Sequence, residues 1–220
     1  MVDLDYKNTK HPDELESHSQ WLERGSFRIV LISTFTALSI VSGYMLVMLP
    51  NIEVFTLMIF LSGFILGKRD GAIIGLMSAF IFGFFNPLGS SMIDLFLFSV
   101  QLIYYTSVGF IGGLTCKFLE KKDFFKPLED IYIGKVLLLF GILGAVMTFT
   151  YDIFSTLAGA IFLFGNLESF LTIYALGLPY TMVHLIFNIL GFIFLLPGLI
   201  RLLYKLLDIP NDCFELTREK

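Results

Sequence analysis

Charged residues are scarce in this sequence: Asp, Glu, Lys and Arg make up only 15% of 220 residues, against about a quarter in globular domains. This scarcity argues against a soluble domain. A hydrophobic share of 56% and a mean hydropathy of +0.80 exclude a disordered chain. The 7 prolines are few beside 19 glycines and 25 phenylalanines, a balance that suits apolar helices packed closely in lipid. We therefore predict an all-α integral membrane protein.

Cysteines and familiar catalytic motifs are also scarce. Cys116 and Cys213 are far apart and lack C-x-x-C or metal-ligand spacing, so we interpret both as unpaired cytosolic thiols and predict no metal site. The sequence contains no G-x-x-x-x-G-K-[ST] loop, no H-E-x-x-H and no G-x-S-x-G. These absences exclude P-loop use of ATP by this chain and favour a non-enzymatic function without a cofactor. Nothing in the composition indicates a nucleic-acid partner.

Long apolar runs occupy almost all of the chain after Arg28. A membrane helix needs about 20 apolar residues, and six segments meet or approach that length. The sequence Gly67-Lys68-Arg69-Asp70-Gly71 predicts a tight hairpin between the second and third, since one fused helix would bury three charges in lipid. The six predicted spans are Ile29–Leu49, Val54–Leu66, Gly71–Phe85, Met92–Cys116, Ile133 to about Ile153, and Tyr180 to about Ile200.

Basic residues mark one side of this predicted bundle. All 15 lysines and arginines lie at or beyond the same ends of the spans, whereas the connections 50–53, 86–91 and around 166–168 contain none. Because cytoplasmic loops carry the excess of positive charge, we expect cytoplasmic N- and C-termini and a multi-pass protein of the plasma membrane. Residues 1–26 are then a polar cytoplasmic segment, 27–208 the six-helix transmembrane domain, and 209–220 a cytoplasmic tail.

The apolar stretch 154–179 does not fit this alternation as a further span. We prefer an extracellular cap, in which the fifth helix bends or projects outward near Asp152, because residues 133–164 as one straight helix would extend about 48 Å. A re-entrant hairpin is the alternative. Leu178-Pro179 is predicted to start the sixth helix, since proline is tolerated in a first turn.

Polar side chains within the spans are concentrated in the outer half, counting about 1.5 Å per residue from the basic ends. A carboxylate at the depth of Asp152 needs a partner, and His184 lies at comparable depth, so we predict that the two form a pair or share a ligand. The other polar residues also have a structural interpretation as hydrogen bonds between helices or as interfacial tyrosines. Residues at helical spacing form three faces: Tyr180, His184 and Asn188; Asp94, Gln101 and Tyr105; and Thr148, Asp152 and Ser155.

Small residues form two further series. Glycines at 63, 67, 71 and 75 follow small-xxx-small spacing across the hairpin, which is typical of close helix packing. Ser33, Ala37 and the larger Val41 follow the same spacing along the first helix. The second series could pack internally or dock a partner.

Taken together, residues 29–203 resemble the substrate-binding S-component of energy-coupling-factor (ECF) transporters. The resemblance rests on Leu49-Pro-Asn-Ile-Glu53 before an apolar run, on Gly63-Phe-Ile-Leu-Gly67-Lys-Arg-Asp-Gly71 with Gly75, and on Tyr151-Asp152 with Gly177-Leu-Pro-Tyr180, His184 and Asn188. It implies six helices, an outward-facing pocket for a vitamin or related micronutrient, and delivery by toppling of the whole subunit in the bilayer.

The resemblance also implies partners and site residues. The partners are the vitamin-like substrate, a transmembrane coupling subunit, two ATP-hydrolysing subunits and membrane lipid. Docking of the coupling subunit is expected at Ser33, Ala37 and Val41, where the family typically has alanines four residues apart. The expected substrate-binding residues are Glu53, Asn86, Asp94, Gln101, Tyr105, Tyr151, Asp152, Tyr180, His184 and Asn188.

Two alternatives remain at this point. A membrane scaffold of the rod-shape-determining type has a similar helical plan without transporting anything. An intramembrane enzyme that uses Asp152 and His184 is the third hypothesis.

Overall fold

The computed structural model describes residues 25–49, 51–207 and 209, which contain helices and no β-strand. The predicted all-α class is confirmed for these residues. The predicted cytoplasmic segment and tail lie almost entirely outside them. The helices are α1 (Gly25–Leu46), α2 (Phe55–Leu66), α3 (Lys68–Phe84), α4 (Leu95–Glu120), α5 (Gly134–Phe164), α6 (Ser169–Leu190) and α7 (Leu196–Leu206).

Four helical segments are long and apolar enough to cross a membrane: α1, α4, α5 and the continuous run Ser169–Leu206. In that run a π-helical turn, Gly191–Leu195, joins α6 to α7. The helix α2 is apolar but has 12 residues, and α3 has 17. A multi-pass α-helical membrane protein follows from the four long segments, and the prediction of six spans stays a prediction.

The short helix α2 lies at the centre of the packing. Every one of its 12 residues is buried, and it contacts α1, α3, α4 and α7. Its phenylalanines pack against rings from distant elements, with centroids 5.2 Å apart for Phe60 and Phe192 and 5.9 Å for Phe64 and Phe140. A helix buried on all sides needs no polar face, and the sequence of α2 is apolar apart from Thr56 and Ser62.

The predicted hairpin between α2 and α3 is tighter than the sequence indicated. One residue, Gly67, separates the helices and has φ +94°, a left-handed conformation that a side chain would strain. Lys68, Arg69 and Asp70 form the first turn of α3 instead of lying in the loop. The Asp70 carboxylate is buried and accepts hydrogen bonds from the Arg28 guanidinium of α1, with Nε at 2.8 Å from Oδ2.

Glycines bring α2, α3 and α4 into backbone contact, which confirms the prediction of small-residue packing. A Cβ atom on Gly63 or Gly71 would collide with the backbone of Gly109, and one on Gly75 with the carbonyl of Tyr105. The partner glycine Gly109 on α4 is not part of the series seen in the sequence. We call Gly63, Gly71, Gly75 and Gly109 the glycine contact.

The predicted start of the sixth helix at Leu178-Pro179 is wrong. The helix α6 begins at Ser169 and contains Pro179 in its interior. Proline is tolerated inside membrane helices because neighbouring groups satisfy the freed backbone carbonyl. Before it, α5 continues through Asp152 to Phe164 and ends at Gly165, whose φ is +65°. Residues 154–179 are therefore the end of one helix, a short turn and the start of the next.

The interpretation of both cysteines as unpaired thiols is also wrong for Cys116, which is disulfide-bonded. Its side chain is buried in α4. Cys213 lies outside the described residues.

Candidate functional site

A cavity of about 350 Å³ lies where α1 ends and α2 begins, closed on the other side by α5 and α6. Phe55 and Phe82 supply aromatic walls. No lysine or arginine of the described residues lines it. The polar side chains in the lining are Asn51, Glu53, Tyr151, Asp152, Ser155, Thr156, Tyr180, Thr181 and His184.

A histidine between two carboxylates forms the centre of the cavity wall. Nδ1 of His184 lies 2.9 Å from Oδ1 of Asp152, and Nε2 lies 3.3 Å from Oε1 of Glu53. The predicted pair of Asp152 and His184 is thus confirmed. The contact with Glu53 adds a third member from another element, and we call the three residues the carboxylate–histidine cluster.

Local structure positions each member of the cluster. Asp152 and His184 project from the middles of α5 and α6, and Glu53 lies in the connection just before α2. A carboxylate beside a helix N-terminus is favoured by the helix dipole. The Thr56 hydroxyl, in the first turn of α2, donates to Oε1 of Glu53. Burial raises the pKa of Glu53, but the hydrogen bonds from His184, Thr56 and Asn188 outweigh it and hold that pKa below its usual value.

One carboxylate oxygen in this cluster has no hydrogen-bond partner among the described residues. Asp152 is 8% exposed, and its Oδ2 atom is buried without a donor while Oδ1 faces His184. Buried polar atoms in proteins are nearly always hydrogen-bonded, so an unmet oxygen on a carboxylate whose residue lines a cavity indicates a place for a donor.

A second layer of polar and aromatic side chains supports the cluster. Asn188 donates to the Thr148 hydroxyl at 2.9 Å, and Thr148 donates to the Gly144 carbonyl at 2.8 Å. Gln101 donates to the Tyr151 hydroxyl at 3.3 Å. The Tyr151 ring stands edge-on to the His184 imidazole, with centroids 6.2 Å apart and planes at 87°. This layer restricts the orientation of both rings.

The predicted site residues fall into three groups, of which two lie at or behind the cavity. Glu53, Tyr151, Asp152, Tyr180 and His184 line the cavity. Behind them, Gln101 and Asn188 hydrogen-bond to Tyr151 and Thr148, and the Tyr105 ring lies 5.8 Å from that of Tyr151.

Asn86 and Asp94 lie away from the cavity and serve the chain locally. The Asn86 side chain accepts from the backbone N–H of Leu88 in a turn. Asp94 caps α4 by accepting from the N–H groups of Phe96 and Leu97. Depth along the helices placed Asn86 in the predicted set, and helical spacing with Gln101 and Tyr105 placed Asp94 there.

Sequence reasoning missed several members of the site. Asn51 donates from Nδ2 to the Tyr180 carbonyl at 2.8 Å and ties the connection before α2 to α6. Thr56 follows Glu53 by three residues, the spacing of a local side-chain contact, and this was an available signal. Phe55 and Phe82 had no signal, because their apolar character matches the rest of the core.

The three residues of the predicted docking surface are exposed on α1. Ser33 and Ala37 line an apolar groove of about 320 Å³ between α1 and α3, and Val41 is 52% exposed. Exposure is compatible with a partner helix or with lipid, and docking there stays a prediction.

Metal ligation finds no support among the described residues, where no three His, Cys, Asp or Glu side chains are arranged to hold an ion. Both ring nitrogens of His184 are occupied by carboxylates.

No protein-family model, no curated protein and no solved structure matches this chain. The function therefore has to be argued from the site itself.

Proposed function

We propose that this chain is the substrate-specific component of an ECF-type ATP-driven importer in the plasma membrane. It captures a vitamin or related micronutrient in an outward-facing pocket and delivers it by toppling in the bilayer. In this proposal α1 to α5 and the run Ser169–Leu206 are six spans with both termini in the cytoplasm. The observation that carries the proposal is the cavity with its buried carboxylate–histidine cluster.

The position of the cavity supports capture from outside. Its lining comes from the ends of α1 and α3 that carry no lysine or arginine, from the connection before α2, and from the middles of α5 and α6. The lysines and arginines of the described residues lie toward the opposite ends of these helices. By the rule that positive charge stays in the cytoplasm, the cavity faces outward. A volume of about 350 Å³ is in the range of small-molecule sites.

The chemistry of the lining supports binding rather than catalysis or scaffolding. Buried ionisable groups in a membrane protein are costly and usually serve a function.

The sequence has no P-loop, so in this proposal the energy for transport comes from two ATP-hydrolysing subunits through a coupling subunit. Ser33, Ala37 and Val41 supply an exposed face of α1 for that coupling subunit.

The experiment combines ligand identification with uptake. Protein purified in mild detergent is analysed by native mass spectrometry, and uptake is measured in cells that depend on limiting B vitamins and express the coupling module. We expect one retained small molecule and ATP-dependent uptake. Asp152→Asn and His184→Ala should abolish uptake while the protein still folds, and Asp123→Asn, at an exposed position, should not.

Three results would overturn the proposal. They are the absence of any retained or binding vitamin across the B series, the absence of a coupling subunit in pull-downs, and unchanged growth of the two site variants on limiting vitamin. The last result would favour a membrane scaffold. Turnover of a ligand by the purified chain alone would favour an enzyme.

A further inference from the structure

The unmet oxygen of Asp152 narrows the ligand that the cavity accepts. Asp152 lines the cavity. Its Oδ2 atom is buried and has no donor among the described residues, whereas Oδ1 is held by His184. A carboxylate oxygen can only accept hydrogen bonds when ionised, so what it lacks is an N–H or O–H group. A donor from the ligand at this oxygen would satisfy it.

His184 does not present a donor to the ligand. Nδ1 faces Asp152 and Nε2 faces Glu53, so both ring nitrogens are engaged by the protein. Asn51 uses Nδ2 on the Tyr180 carbonyl. The remaining polar groups in the described lining are neutral hydroxyls, which are weaker partners for a carboxylate or phosphate than a cationic side chain.

The net charge of the cavity wall also disfavours an anionic ligand. The two carboxylates contribute −2 and the imidazole contributes at most +1, and no lysine or arginine of the described residues lines the cavity. The net charge of the ionised cluster is therefore −1 with His184 protonated and −2 with it neutral. An anionic ligand would be repelled, and a cation would be attracted more strongly than in water because the surroundings are poorly solvated.

The walls favour a flat ring. Phe55, Phe82, Tyr151 and Tyr180 line the cavity. Aromatic faces attract cations as well as other rings. A flat heterocyclic cation that also carries an N–H group would contact both the rings and the Asp152 carboxylate.

We propose that the cavity selects an organic cation, a flat nitrogen heterocycle whose N–H group donates to the Asp152 carboxylate while Glu53 completes the anionic wall. This inference rests on the proposed function, since it names the substrate class of the same site. It excludes ligands that rely on a carboxylate or phosphate for recognition at the cluster.

The test compares ligands of different charge on the purified wild-type protein by isothermal titration calorimetry. Thiamine is the cationic probe, with an aminopyrimidine N–H group; riboflavin is the neutral probe, and biotin and pantothenate are the anionic probes. The charge of any molecule retained through purification is read by native mass spectrometry. We expect the cation to bind at least tenfold more tightly than the others, or the retained molecule to be a nitrogen cation.

A variant pair localises the effect. Asp152→Asn keeps the shape but removes the charge, and it should lower affinity for the cation at least tenfold, whereas Asp123→Asn should leave it unchanged. If Asp152→Asn fails to fold, the affinities of the wild-type protein for the cationic, neutral and anionic probes still test the proposal. Tighter binding of a neutral or anionic probe, or a retained anion, overturns the charge assignment and leaves the proposed function standing. No retained molecule and no binding of any probe overturns both.

Discussion

The glycine contact and the carboxylate–histidine cluster solve opposite packing problems in the same bundle. At the glycine contact, Gly63, Gly71 and Gly109 have no side chain, so three helix backbones meet directly. At the cluster, Glu53, Asp152 and His184 bring bulky ionisable groups into the interior and have to satisfy one another. The first arrangement is closed to any ligand, and the second leaves a cavity with an unmet oxygen.

This difference indicates that the glycine contact stabilises the fold, whereas the carboxylate–histidine cluster serves binding. Close backbone contact gains dispersion energy and leaves little freedom to move, so α2, α3 and α4 form a rigid frame. A buried carboxylate without a donor costs stability, and such costs are concentrated at functional sites. Substitutions in the frame should therefore change stability most, and substitutions around the cluster should change binding more than stability.

The largest effect on stability is expected for Gly109→Ala. Its new Cβ would collide with the backbone of Gly71, which cannot move aside as a flexible side chain could. The expected loss is about 3 kcal/mol of unfolding free energy, the upper end for overpacking. Thermal unfolding in detergent, followed by circular dichroism, measures it. Gly159→Ala in α5 is the control because nothing lies within 4 Å of its Cβ position, and equal melting of the two variants would refute the close contact.

The next effect is expected at the ion pair between α1 and α3. Arg28→Ala leaves the buried Asp70 carboxylate without its guanidinium. We expect a loss of about 2 kcal/mol, below the range for fully buried pairs because Arg28 keeps 26% exposure. Denaturant unfolding measures it. The control is Arg69→Ala, because Arg69 is an exposed arginine beside Asp70 in the first turn of α3, and its loss should hardly change stability. Adding Asp70→Asn to Arg28→Ala should restore part of the lost stability, since it removes the unpaired charge.

A smaller loss is expected in the layer behind the cluster. Thr148→Val keeps the side-chain volume but removes the hydroxyl that accepts from Asn188, which should cost about 1 kcal/mol. The matched control is Thr106→Val, because the Thr106 hydroxyl bonds the carbonyl of Leu102 in its own helix. A larger loss for Thr106→Val would contradict the role of the contact between α5 and α6.

The smallest effect is expected at the rim of the cavity. Asn51 has φ +59° and donates to the Tyr180 carbonyl, so Asn51→Gly preserves the backbone and removes one hydrogen bond. Melting should hardly change. Ligand release, measured by stopped-flow fluorescence, should become about threefold faster, as the loss of about 0.7 kcal/mol implies. Asn166→Ala, in the turn after α5, should leave release unchanged.

The fold was predictable where apolar runs and glycine spacing carried the signal. The apolar runs predicted the all-α class. They also predicted that the fifth helix starts at Ile133, one residue before the observed start of α5 at Gly134. The start of α6 was mispredicted because Pro179 matches a first-turn proline equally well from sequence. Gly109 was not recognised because a contact between helices depends on their relative rotation, which one sequence does not encode locally.

The candidate site was predictable to a similar degree. The depth argument paired Asp152 with His184 correctly, since both lie at helix positions that can be counted from the basic ends. The same counting admitted Asn86, and helical spacing with Gln101 and Tyr105 admitted Asp94. In the structure these two residues stabilise a turn and a helix start. Depth locates a group along a helix but gives no information on which side of the helix faces a cavity.

The sequence by itself determined the helical membrane class and the positions of the polar groups along the helices, because these depend on composition and on distance along a helix. Only the tertiary structure decided that Glu53 reaches His184 across 131 residues and that one oxygen of Asp152 is left without a donor. Those two facts depend on how α2, α5 and α6 pack against one another. Packing is decided by contacts between residues remote in the chain.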